Sequence, residues 1–237
     1  PFALLRDGVE ITKLGGATNY VDTMGSATSR YAVRSADGVT SAEVTPLAVP
    51  YVRVPIEAPP GGKTAGAPTC ETANEAYGYS ANDASAADLD GDGAYELILK
   101  WDPANSKDNS QSGCTGNVYL DAYELDGTRL WRIDLGPNIR AGAHYTQFMV
   151  YDLDGDGLAE LTVKTAPGTR DGKNASLSKG PAEGDDDSKV YRSLSNAGGR
   201  TGYILSGPEY LTVFDGKTGA ERDTINFDQA RGSVKDW

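Results

Sequence analysis

Short apolar runs with a polar residue at every second place recur along this chain. Asp-Gly and Gly-rich turns separate them, and long helical periodicity is hard to find. That is the pattern of strands joined by hairpins. Phe2–Leu5 and Val9–Thr12 flank an Arg6-Asp7-Gly8 turn, Asn19–Asp22 and Tyr31–Arg34 follow, and Val52-Arg53-Val54 closes this first series. Residues 1–58 are therefore expected to be a small β-sheet unit, and the Pro/Gly/Ala/Thr-rich residues 59–75 a linker. Residues 76–237 hold two further series. In the first, the strand Tyr95–Trp101 precedes a hairpin of Val118–Tyr123 and Arg129–Ile133 that turns at Asp126-Gly127. In the second, Thr146–Tyr151 and Leu161–Thr165 precede a hairpin of Tyr210–Phe214 and Glu221–Phe227. Residues 168–206 form a polar insertion, in which Gly184-Asp185-Asp186-Asp187 reads as a solvated loop.

Each series is headed by the same acidic loop. Asp88-Leu-Asp90-Gly-Asp92-Gly93-Ala94-Tyr-Glu96 returns as Asp152-Leu-Asp154-Gly-Asp156-Gly157-Leu158-Ala-Glu160. Four carboxylates, one backbone carbonyl (Ala94 or Leu158) and a glycine at the turn supply most of the roughly six to eight hard oxygen ligands that Ca²⁺ takes. A loop of four carboxylates repels itself until a divalent cation fills it, so the ion is expected to be structural. An EF-hand is a poor alternative. It needs a bidentate Glu at the twelfth loop position and flanking helices, whereas Leu99 and Val163 stand there in strand-like flanks.

Composition narrows the function. Net charge is −12 at pH 7, which argues against nucleic acid or an anionic membrane as partner. No apolar run approaches the roughly 18 residues of a membrane-spanning helix. The 29 glycines and 13 tyrosines suit an all-β protein rich in turns. Cys70 and Cys114 both lie in polar, Gly-rich stretches where burial is not expected. A disulfide between them would fit an extracellular setting, where calcium is also plentiful.

Calcium loop, strand, then hairpin is the grammar of a β-propeller blade. Two blades cannot close a ring and would leave open edges and apolar faces. The chain is therefore expected to be a piece of a longer protein, or to assemble with other chains.

Several segments go beyond this grammar: Ser80–Ser85, Leu99-Lys-Trp-Asp-Pro-Ala-Asn-Ser106, Lys107–Gly113, Leu130–Gly136, Arg140-Ala-Gly-Ala-His-Tyr-Thr-Gln-Phe148 and Ser206–Phe214. With the loops, they resemble the rhamnogalacturonan lyases of polysaccharide lyase family 11. The match runs over residues 76–237 and more weakly over residues 1–62, where the strands resemble the later part of a fibronectin type III-like unit. The resemblance implies an all-β fold, with about two blades of a calcium-binding, eight-bladed β-propeller truncated at its C-terminus. It implies a secreted enzyme that cleaves rhamnogalacturonan I by β-elimination at C4 of galacturonate, leaving a 4,5-unsaturated end. The remaining blades, on the parent or a complementary chain, would be partners.

The resemblance associates Asn82 and Asp102 with substrate and Asp83 with calcium. Lys100 and Asp102 stand two apart on a strand and so share a face. Lys164 holds the matching place in the second series, and the two lysines are candidates to line a channel that attracts galacturonate. Lys100 is a candidate for the catalytic machinery, and His144, the only histidine, is a candidate base or a packing residue. Cys114 replaces an aromatic residue of the family pattern, which fits a disulfide particular to this chain. The rival reading is a non-catalytic calcium-stabilised propeller for adhesion or carbohydrate binding. A hydrolase would need two free carboxylates about the bond, and the loops occupy most of those available.

Overall fold

The protein is described by a computed structural model covering residues 1–63, 76–142, 145–194 and 198–229. The described residues form four antiparallel sheets and one 3₁₀ turn, with no α-helix among them. The chain divides into two compact units, residues 1–53 and 54–237.

In the first unit, β1 (Phe2–Arg6) pairs with β2 (Val9–Leu14) and β3 (Tyr31–Arg34) in the order β2-β1-β3. The two-residue turn is Asp7-Gly8, with φ of 52° and 79°. Positive φ at both central positions matches the twist of the flanking strands, which is why Asp-Gly is found there. The core is small: Ala3, Leu5 and Ala32. The expected strand at Asn19–Asp22 does not form. Asp22 instead takes Arg6 in an ion pair (2.8 Å), the Tyr31 hydroxyl (2.8 Å) and the Met24 N–H (2.9 Å), and Val21 is left 82% exposed. Local capture of backbone by a short carboxylate competes with a sheet ladder. No strand forms at Val52–Val54 either.

In the second unit, β4 (Gly62–Lys63) pairs with β5 (Ala76–Tyr77). Two four-stranded sheets follow, each a meander in chain order. Sheet 1 is β6 (Tyr79–Ala87), β7 (Glu96–Pro103), β8 (Tyr119–Tyr123) and β9 (Arg129–Asp134). Sheet 2 is β10 (Phe148–Tyr151), β11 (Glu160–Thr165), β12 (Tyr210–Phe214) and β13 (Glu221–Asn226). Strand pairing makes the sheets superimposable in register. Leu97 faces Tyr123 as Leu161 faces Phe214, and both outer hairpins carry a bulge at the same place.

One core joins the sheets, with Ile98, Leu120 and Ile133 from sheet 1 and Leu161, Val163 and Phe214 from sheet 2. The faces that meet are not equivalent ones. Ile98 corresponds by register to Thr162, whereas the sheet 2 partners Leu161 and Val163 correspond to Leu97 and Leu99. Each sheet thus offers opposite faces to its two sides, and the stacking is head-to-tail. Such an interface does not close on itself with two members. Accordingly the far face of sheet 2 leaves Met149 and Ile225 about half exposed.

The insertion is not a solvated tether. Leu177 and Ala182 belong to the core, and Thr169, Asp171 and Thr201 are buried. The 3₁₀ turn (Gly180–Ala182) lies within it. The acidic run is also tied down: Tyr210 donates to Asp185, and Gly168 N–H donates to Asp187 at 3.0 Å. Arg192 donates to the carbonyls of Thr115 (2.9 Å) and Pro137 (2.8 Å), with no carboxylate paired to it among the described residues. Burial first, and the Arg140 charge second, push its guanidinium down to about 10.

Candidate functional site

Loop 1, between β6 and β7, is wound around its first carboxylate. Asp88 accepts from Gly91 N–H (2.7 Å) and Gly93 N–H (3.0 Å), and Glu96 Oε2 accepts from Leu89 N–H (2.6 Å). Loop 2, between β10 and β11, repeats this. Asp152 accepts from Gly155 (2.7 Å) and Gly157 (3.0 Å), and Glu160 Oε2 accepts from Leu153 (2.9 Å). Gly91, Gly93, Gly155 and Gly157 all have φ between 80° and 92°, a region where a side chain is strained. The glycines let the chain turn tightly enough to aim several oxygens at one point.

Those oxygens converge. Asp88, Asp90 and Glu96 each place one carboxylate oxygen within 4.8 Å of the others, and so do Asp152, Asp154 and Glu160. Asp92 and Asp156 stand outside these triads. Their Oδ1 atoms accept from Ala94 N–H (2.7 Å) and Leu158 N–H (2.8 Å). The loops lie side by side, with Ala159 N–H donating to Asp88 O at 2.9 Å.

The triads differ in one respect that decides how they fit a cation. Glu96 is 1% exposed, and its Oε1 has no hydrogen-bond partner. Burial pushes its carboxyl above the ordinary value, the Leu89 N–H pulls it back, and Glu124, Asp90 and Asp88 push it up again. A buried unpaired carboxylate oxygen among three others is costly, and a hard divalent cation is the partner this donor set suits. In loop 2 the corresponding Glu160 oxygen already has one. Arg222, from β13, donates to Glu160 Oε1 and to Asp154 Oδ2 (3.0 Å).

The second group of candidates surrounds Lys100. Between Ala81 and Ala84 the β6–β7 register shifts, so Asn82 and Asp83 sit in a bulge. Bulges re-aim side chains at sheet edges, and β6 is the edge strand of sheet 1. Lys100 is fully buried, and its Nζ donates to Asp83 Oδ2 (2.6 Å) and Tyr145 O (3.4 Å). Asp83 itself is 58% exposed, as a group held at a rim would be. Asp102 is half-buried; burial pushes its carboxyl up, Lys100 pulls it down and Asp83 pushes it up. Asn82, Asp83, Lys100 and Asp102 are thus brought together on one edge. Lys164 is not among them. It pairs with Glu209 and lies 5.2 Å from the centre of the Phe227 ring. His144 lies outside the described residues, as does Cys70. Cys114 is 1% exposed, contrary to the expectation that its polar stretch would leave it at the surface. The loop around it is held down by Arg140, which donates to Asp108 O (3.2 Å) and Gln111 O.

Two features escape sequence reading. Asp121, fully buried on β8, accepts from Trp101 Nε1 (2.9 Å), the Tyr123 hydroxyl (2.8 Å) and Arg132 Nε (2.7 Å). Its signal was the lone acid in an otherwise apolar strand, Tyr119–Tyr123. Arg222 had no local signal, because its place opposite Glu160 depends on the β12–β13 register.

Similarity to known proteins places the chain in a family. The chain is 54% identical to a rhamnogalacturonan endolyase, YesW, of Bacillus subtilis (strain 168), over 244 positions that include all of this chain and 36% of that protein. It is 50% identical to a rhamnogalacturonan exolyase, YesX, of the same organism, over 242 positions covering all of this chain and 36% of that protein. Crystal structures of the two superpose with TM-scores of 0.76 and 0.79, at 55% and 49% identity, covering all of this chain and 38% and 37% of theirs. The chain therefore spans little more than a third of the length of these relatives. The profile described as "Rhamnogalacturonan lyase family 11, C-terminal domain" matches residues 51–237. With that match over most of its length, the chain belongs to rhamnogalacturonan lyase family 11.

Proposed function

We propose that this chain is part of a secreted rhamnogalacturonan lyase and supplies one portion of its substrate edge. The observation that carries this reading is the gathering of Asn82, Asp83, Lys100 and Asp102 at the bulged rim of sheet 1. The kinship with an endolyase and an exolyase supports the chemistry. The substrate is rhamnogalacturonan I, and the reaction is β-elimination. A base removes the C5 proton of galacturonate, the electron pair forms the C4–C5 double bond, and the C4–oxygen bond breaks to release the leaving sugar. A positive group beside the C6 carboxylate makes that proton acidic, and a positioned base takes it.

In this reading Asn82 and Asp102 face the polymer. Lys100 has no exposed surface, so it acts by fixing Asp83 in the bulge and by placing positive charge beneath the rim. His144 remains a candidate base, and Lys164 a charge that guides the polyanion. Asp88, Asp90, Asp92, Glu96 and the Ala94 carbonyl are the candidate oxygen donors to Ca²⁺ of loop 1, and Asp83, which the resemblance associates with calcium, is a separate candidate ligand at the rim. Asp152, Asp154, Asp156, Glu160 and the Leu158 carbonyl are those of loop 2. Calcium there neutralises the loops and rigidifies the heads of β7 and β11. Cys70 and Cys114 form a disulfide, as the extracellular setting favours.

The head-to-tail stacking of the two sheets supports a propeller. A third blade would cover Met149, Thr162, Lys164 and Ile225 as sheet 2 covers the Ile98–Lys100 face. The full-length enzyme would be assayed on rhamnogalacturonan I by the ultraviolet absorbance of the unsaturated end. Asp102→Ala should lower kcat/KM by about tenfold or more, the worth of a hydrogen bond to a charged group. An unchanged kcat/KM would remove Asp102 from the site. Polymer binding without any unsaturated product would favour the non-catalytic carbohydrate-binding reading.

A further inference from the structure

The two acidic loops have the same sequence grammar and the same backbone hydrogen bonds, yet their surroundings differ in charge. At loop 2 a guanidinium is seated on two of the three converging acids: Arg222 bonds Glu160 Oε1 and Asp154 Oδ2. Register places Leu130 in sheet 1 where Arg222 stands in sheet 2, since Arg129 faces Tyr123 as Glu221 faces Phe214. Leu130 packs against the core and brings no charge. Loop 1 therefore keeps Glu96 Oε1 buried and without a partner. Among the described residues the cation paired with loop 1 is Lys217, 3.6 Å from Asp90, beyond hydrogen-bond reach and 58% exposed at its side chain. It can turn to solvent at little cost.

We infer that Arg222 makes the loops unequal: loop 1 is a strict divalent-cation site, and loop 2 is a site that arginine contests. This rests on the reading that both loops take Ca²⁺. A cation entering loop 1 finds an unmet acceptor. A cation entering loop 2 must first detach a bidentate guanidinium from Glu160 and Asp154, or share those acids with it. The work of that displacement is subtracted from the affinity. In exchange, loop 2 keeps its shape when calcium is scarce, because Arg222 already offsets its charge. The loops touch through Ala159 N–H and Asp88 O, so a self-neutralised loop 2 also spares loop 1 a second uncompensated cluster beside it.

Calorimetric titration of the 237-residue chain with calcium chloride tests this. Two binding steps are expected, separated by about tenfold or more, the worth of a charge-assisted pair. Asp88→Ala should abolish the tighter step and Asp152→Ala the weaker. Arg222→Leu, which copies Leu130, should tighten the weaker step by about tenfold and leave the other unchanged. Arg222 is 39% exposed at its side chain, so the fold should tolerate the change; Arg222→Lys, which loses the bidentate fork, is the milder variant and should shift the same step in the same direction. Equal affinities at the two loops would overturn the inference while leaving calcium binding intact. So would an Arg222→Leu chain whose weaker step is unchanged or weaker still, since Arg222 would then be orienting the ligands. No calcium heat at either loop would overturn the calcium reading itself, and this inference with it.

Discussion

Sheets 1 and 2 place different chemistry on the same frame. Trp101, Asp121 and Arg132 of sheet 1 correspond by register to Thr165, Thr212 and Thr224 of sheet 2. In sheet 1 these positions hold a buried ion pair tied to an indole and a phenol. In sheet 2 they hold a ladder of hydroxyls, with Thr165 and Thr212 2.7 Å apart and Thr212 and Thr224 3.0 Å apart. Both solutions satisfy every polar group they bury at these places, which is what a strand interior demands. The frame is fixed by the acidic loop, the strand alternation and the hairpin bulge, so the filling is free to vary. The lysines make a second contrast. Lys100 is fully buried because sheet 2 covers its face, and Lys164 is 33% exposed at its side chain because it has the Glu209 carboxylate and the Phe227 ring beside it but no second sheet across its face among the described residues.

The contrast can be broken by mutation, and the largest effect should come from the ionic filling. Asp121→Ala strands Arg132 and Trp101 and leaves the Tyr123 hydroxyl only the Glu57 carbonyl (3.1 Å), and should lower unfolding free energy by about 3–5 kcal/mol, the cost of removing one partner of a buried pair. Chemical denaturation checks it. Lys100→Ala, which empties a fully covered side-chain volume, should cost about 2–4 kcal/mol on the same assay. Thr212→Val keeps the shape and removes only neutral hydrogen bonds, so about 1 kcal/mol is expected. If it proves as costly as Asp121→Ala, the two fillings are not interchangeable alternatives on one frame. Lys164→Ala should cost less than about 1 kcal/mol, as for a part-exposed ion pair. A loss near that of Lys100→Ala would mean that this face is already covered.

Much of the frame was legible in the sequence because its causes are local. The acidic loops announce themselves through carboxylate spacing and glycines that only a tight turn requires, and the Asp7-Gly8 hairpin through its turn chemistry. The Asn82–Asp102 edge was reached through family resemblance, while the bulge that gathers it depends on pairing between β6 and β7. What stayed hidden depends on register and stacking. Arg222 is 68 residues from Asp154 in the chain, and no pattern near either residue says that they meet. Val21 failed as a strand because Asp22 beside it found Arg6 and Tyr31. The insertion looked merely polar because its burial comes from a few small and hydroxyl residues scattered among charged ones.

On the proposed reading, two acidic loops hold the strands of their sheets in place by binding divalent cations. Thermal unfolding of the chain in calcium and in excess EGTA tests that most directly. A ligand that binds only the folded state at about a thousand times its dissociation constant stabilises it by about 4 kcal/mol. The midpoint should therefore fall by several degrees when calcium is withdrawn and return when it is restored. A midpoint indifferent to calcium would contradict the account and leave the loops as acidic turns with no ion to hold.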